Sequence, residues 1–186
     1  RTGFAHLFEH VMFQGSRHVP SGQHIGLLQA AGASVNATTW FDRTNYFETL
    51  PVGALELALW MEADRLATLP DHLTDVAVDT QREVVKEEKR QRYDNVPYGE
   101  AMVHLVDLVF GADHPYGHTT IGSMADLDAA TAEGAATFFR SHYRPDNAVL
   151  TIVGDVSPKD GFKRAERFFG HLPSSNPRAR PAATPL

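Results

Sequence analysis

The sequence predicts an α+β fold, with helices packed on one face of a mixed or antiparallel β-sheet. Three observations lead there. Segments with apolar residues at helical spacing dominate the chain. Between them lie short stretches with the alternation or continuous apolar character of strands. The connections are short, so the elements must pack as layers around a shared core. A chain of 186 residues that is 42% hydrophobic and 22% charged can bury such a core as one domain.

The elements follow in order. Phe4, Leu7, Phe8, Val11 and Met12 have helical spacing, which predicts a first helix over 4–13, stopped by Gly15. Ser21 is positioned to cap a second helix reaching about Ala31, closed by Gly32. Residues 34–39 alternate around Val35 and Ala37 and predict a strand; 44–50, with Tyr46, Phe47 and Thr49, predict another. Pro51 and Gly53 break the chain before a helix over about 54–66. A long helix is expected from Thr74 to about Tyr93, ended by Asp94, Asn95 and Pro97, and another from Glu100 to Phe110. Residues 111–122 read as a loop. Residues 131–143 read as helix and 148–153 as a third, mostly apolar strand. Ser157-Pro158 opens a final helix to Phe169.

Composition removes several functions. The net charge is −6 with no basic block, a poor basis for binding a nucleic-acid backbone. Cysteine is absent, which excludes disulfides, thiolate metal sites and cysteine nucleophiles and leaves the compartment open, bacterial cytoplasm and periplasm included. No apolar run reaches the length of a membrane span. Neither a Gly-x-Ser-x-Gly elbow nor a glycine-rich phosphate loop is present. The chain begins at Arg1 and ends in SSNPRARPAATPL. It is read as residues 1–173 of a domain incomplete at its start, then a Pro/Ala-rich linker over 174–186.

One pattern carries chemistry. His6-Leu-Phe-Glu9-His10 places two imidazoles at i and i+4 on one helix face, where both ring nitrogens can meet one ion. Glu9 sits at the edge of that face, within reach of a water on the ion without ligating it. A catalytic zinc takes three protein ligands and leaves a position for water. The competing reading is a helix with two unremarkable histidines. The long helix offers Glu83, Glu87 and Glu88 as a third ligand. Its apolar face is read through Ala77, Val78, Val84 and Val85, and Glu88, four after Val84 and three after Val85, continues it. Glu88 is therefore the expected ligand. The other histidines, His24, His114 and His118 among them, are read as structural.

Five segments resemble the pitrilysin–insulinase family of zinc metallopeptidases, the inverzincins. They are RTGFAHLFEHVMFQGS, ASVNATTWFDRTNYFETLP, QREVVKEEKRQRYDNVPYG, HPYGHTTIGSMADLDAAT and NAVLTIVGD, in colinear order. The similarity is greatest to bacterial members related to the mitochondrial processing peptidases. The resemblance implies the family's half-domain fold and zinc held by His6, His10 and Glu88, with Glu9 as general base. It implies that the strand bearing Asn36 and Ala37 pairs with the backbone of a peptide substrate, an addition of one strand to a sheet edge. Many relatives carry an acid seven positions before the distal ligand; here Gln81 stands there, able to hydrogen-bond a ligand but bringing no charge.

The expected activity is thus zinc-dependent endopeptidase hydrolysis of peptides or unfolded segments. The alternative is a non-catalytic scaffold subunit of a heteromeric peptidase; a structural zinc is a weaker third. The resemblance also implies a carboxy-terminal half, or a homologous partner subunit in a dimer, that grips the substrate. The 186 residues alone are accordingly expected to bind zinc but hydrolyse peptides slowly.

Overall fold

The computed structural model describes residues 2–174, so the expected linker, apart from Ser174, lies outside the described residues. Helix α1 spans Phe4–Val11 and α2 spans His24–Ala30. Strands β1, Ser34–Thr39, and β2, Thr44–Thr49, form an antiparallel hairpin in which Val35 faces Glu48, Ala37 faces Tyr46 and Thr39 faces Thr44. Helix α3, Leu55–Thr68, follows one 3-10 turn. Helix α4, Asp75–Lys89, starts where the Thr74 hydroxyl accepts from the Ala77 amide and runs on into a π-helical turn over Arg90–Asp94. Helix α5 covers Ala101–Phe110, α6 Met124–Asp128, α7 Ala132–His142 and α8 Pro158–Phe169. Ser123, Thr131 and Ser157 cap the last three through their hydroxyls.

Helix α1 lies at the centre, against α4, α6, α7 and both strands. Its Phe4, Leu7, Phe8 and Val11 join Val78 and Val85 of α4, Leu127 of α6 and Phe139 of α7 in the main core. A smaller core of Val19, Leu28, Ala33, Ala58 and Met61 joins α2 and α3 to the hairpin. The helices therefore pack on one face of a small antiparallel sheet, the expected fold class. Among the described residues no helix is long and apolar enough to cross a membrane.

The start of α1 is fixed by backbone contact. Gly3, the N-cap, has φ +79°, and a Cβ there would lie 2.7 Å from the Ile121 carbonyl oxygen. Gly122, at φ +77°, faces it: a Cβ there would lie 2.5 Å from Gly3 Cα. Thr2 ties the same seam, its amide and hydroxyl both donating to Asp126 Oδ2 at 2.9 and 2.6 Å.

Three local expectations differ from what forms, and one short helix forms that was not expected. Helix α1 ends at Val11, two residues early. Ser21 is not a cap; α2 begins at His24 behind Gln23, with no side-chain cap. Residues 148–153 are not a strand: Val149 and Val153 are 93% and 90% exposed, and no chain among the described residues lies alongside to supply a ladder. Helix α6 was not expected, being too short to show a period.

Candidate metal centre

Helix α1 carries His6 and His10 one turn apart, their ring centroids 4.9 Å apart and their planes at 76°. Packing of α1 on α4 brings Glu88 to both: its Oε2 lies 3.6 Å from His6 Nε2 and 3.4 Å from His10 Nε2. One donor atom from each residue falls within 4.8 Å of the others. The inward stripe of α4 is Val78, Gln81, Val85 and Glu88, with Val78 and Val85 fully buried. Val84, expected on that face, is exposed; Val78 and Val85 set the phase that aims Glu88 inward.

The electrostatics suit neutral imidazole beside carboxylate. Burial lowers the His6 pKa to about 4, against the pull of Glu88, so the ring is unprotonated near neutrality. Contact with His10 holds the Glu88 carboxyl below its usual range, with help from His6 and Arg92. Arg92 Nη1, 2.8 Å from Glu88 Oε1, takes the outer oxygen and leaves Oε2 to the histidines. His6 Nδ1 is buried with no hydrogen-bond partner among the described residues. Gln81, expected to support a ligand through its amide, is half-buried on the α4 stripe but makes no hydrogen bond to His6, His10 or Glu88.

Glu9 is not among the three converging donors. It is 8% exposed, and its Oε2 accepts a hydrogen bond from the Thr39 hydroxyl at 2.5 Å. Burial raises its pKa in spite of that bond. On β1, Asn36 is exposed and Ala37 buried, and Asn36 Oδ1 accepts from the Ala37 amide at 2.8 Å. The β1 edge away from β2 carries no strand among the described residues. His114 and His118 lie in turns, as expected, with His114 stacked on Phe110.

Residues 1–107 match the family described as Insulinase (Peptidase family M16). The chain belongs to this family. Residues 129–186 match a second description, Peptidase M16 inactive domain. Among M16 relatives, the zinc protease PqqE of Helicobacter pylori is 30% identical over 97% of this chain and 40% of its own length. The probable mitochondrial-processing peptidase subunit beta of Schizosaccharomyces pombe is 27% identical over 94% of this chain and 37% of its own. The crystal structure of a protease from Helicobacter pylori superposes with a TM-score of 0.89 at 30% identity, covering 97% of this chain and 43% of that one. The chain thus spans about two-fifths of the length of these M16 relatives.

A second group has the same donor count: His24, Glu48 and Glu62, also within 4.8 Å of one another. It differs from the first in its cation. Arg65, 1% exposed, grips Glu62 with Nε and Nη2 at 3.0 and 2.6 Å, and its ring neighbours Tyr46 and Phe13 hold it there. A buried guanidinium already supplies the positive charge that a metal would bring. Arg92, at the α1–α4 site, is 72% exposed and free to swing into water. The first group fits a divalent cation and the second does not. His24, expected to be structural, is buried with its Nε2 3.6 Å from Glu62 Oε1, and the groups around it come from α3 and β2.

The second group has a consequence for stability. Burial and the neighbouring Glu62 push the Glu48 pKa up to about 8. Burial also pushes Glu62 up, but Arg65 outweighs it and holds that carboxyl low. With its folded pKa above the unfolded value near 4.5, Glu48 favours the fold fully below that value and loses its contribution as pH rises from about 4.5 through 8. Glu48→Gln keeps the neutral form at every pH. Its melting temperature, relative to wild type, is expected to climb by several degrees between pH 5 and 9. A difference that stays flat across that range refutes the reading.

Proposed function

We propose that this chain is the zinc-binding, base-bearing part of a metalloendopeptidase that hydrolyses peptides or unfolded polypeptide segments. The observation that carries the reading is the convergence of His6, His10 and Glu88 Oε2, a group that leaves out Glu9 although the charges of His10 and Glu88 act on it. Two imidazoles and one carboxylate form a donor set suited to zinc with a position left open. When bound there, zinc supplies Lewis-acid polarisation of a carbonyl and makes a water more acidic.

The chain's own residues do the rest. The edge of β1 at Asn36 and Ala37 receives the peptide as an added strand and sets the scissile bond beside the site. Glu9 accepts a proton from the attacking water as its oxygen bonds to the carbonyl carbon. As the C–N bond breaks, Glu9 returns that proton to the leaving nitrogen. Burial, by raising the Glu9 pKa, makes both transfers easier to match. The presence of His6, Glu9, His10 and Glu88 together supports catalysis over a scaffold role.

A second half or partner subunit, whose wall would close over the peptide, belongs to the same proposal. The test is a quenched-peptide assay with the 186 residues alone and with the complete protein, each loaded with zinc. One zinc per chain in both and turnover chiefly in the complete protein are expected, with activity lost to a chelator and regained on adding zinc. Binding of two zinc ions, or none, refutes the assignment of the site.

A further inference from the structure

We propose that Thr39 is a positioning residue for Glu9, so that the strand that receives the peptide also aims the base. The inference rests on the role given to Glu9 above. A glutamate on a helix has three side-chain torsions, and burial alone does not choose among them. Thr39 chooses: its hydroxyl donates to Glu9 Oε2 at 2.5 Å. Glu9 Oε1 makes no hydrogen bond among the described residues, which leaves it to the reacting water. Having spent its proton on Glu9, Thr39 Oγ1 can only accept from its cross-strand partner, Thr44 Oγ1, 3.2 Å away.

The end of the hairpin that carries Thr39 is held from both sides. Within the turn, Trp40 N donates to Arg43 O at 2.8 Å and Arg43 Nη1 donates to Thr38 Oγ1 at 2.8 Å. From across the fold, the Tyr116 hydroxyl donates to Asp42 Oδ1 at 2.7 Å, and its ring lies 5.3 Å from Phe41. Phe110 and His114 back Tyr116 in turn, at 5.8 and 5.5 Å. Asn36 and Ala37 lie three and two residues before Thr39 on the same strand. A peptide paired with that edge is therefore in fixed register with the hydroxyl that orients the base.

The test uses the complete, zinc-loaded protein. Thr39→Val keeps the shape of the side chain and removes the donor. Its kcat is expected to fall about tenfold to a hundredfold with KM within about twofold, the mark of lost orientation rather than lost binding. Thr39→Ser, which restores the hydroxyl, is expected to return kcat to within about threefold of wild type. Peptide affinity is read separately by fluorescence anisotropy in a Glu9→Gln background, where adding Thr39→Val should leave it unchanged. Wild-type kcat in Thr39→Val, no rescue by serine, or loss of peptide affinity in the double variant each overturns the proposal. An inactive wild type overturns the peptidase assignment itself, and this proposal with it.

Discussion

Glu9→Gln is expected to abolish most peptide hydrolysis while leaving the metal in place. Glutamine has nearly the same shape and can still accept from Thr39, so the fold and the orientation of the side chain survive. What it lacks is a site for the proton of the attacking water. General bases of this kind contribute about 10²- to 10⁴-fold, and a loss in that range is expected in kcat of the complete protein. Zinc content should not change, because Glu9 is outside the three-donor group. Single-turnover kinetics alongside metal analysis of the same sample checks both halves. Normal turnover would mean that another group takes the proton or that the protein is no peptidase.

The second large effect concerns the ligands. Removing one imidazole by His6→Ala or His10→Ala leaves two donors where three converge, and Glu88→Gln replaces the anionic oxygen with a weaker neutral one. Zinc affinity is expected to fall by more than about 100-fold, the upper end of what is lost when a group that merely supports a ligand is removed. Glu87→Gln is the control. It lies on the outer face of α4, paired with Arg90 at 3.1 Å and Gln91 at 3.1 Å, and should bind zinc as wild type does. Competition titration against a chromophoric chelator separates the four variants. Strong weakening by Glu87→Gln with none by Glu88→Gln would make Glu87, not Glu88, the third donor.

The parts of this site that were legible in sequence are those governed by one helix. His6, Glu9 and His10 are a local pattern, and helical geometry alone puts two rings on one face. Glu88 was reachable because Val85, three residues before it, reports the inward phase of α4, although Val84 misled. What was not legible is what arrives from elsewhere. Thr39 reaches Glu9 across 30 residues, and nothing in its own neighbourhood marks it. Arg92 could have been found, since it stands four residues after Glu88. The His24–Glu48–Glu62–Arg65 group draws on α2, β2 and α3; only its Glu62–Arg65 pair, at i and i+3, leaves a trace in the sequence. Residues 148–153 show the same limit from the other side: their apolar, β-branched run has the propensity of a strand, but a strand exists only when a neighbour pairs with it.

The seam between Gly3 and Gly122 bears on how such a site can tolerate change. Two backbones touch there with no side chain between them, at the very start of the helix that carries both histidines. The helix is thereby referenced to peptide groups, whose dimensions do not vary with sequence. Residues along its buried stripe could be exchanged for others of like volume, and the core would adjust sideways without sliding the helix along its axis. The axial height of the two imidazoles is in effect inherited from the main chain. Drift in the surrounding core would then be absorbed as repacking, while any side chain larger than hydrogen at either glycine would displace His6 and His10 directly.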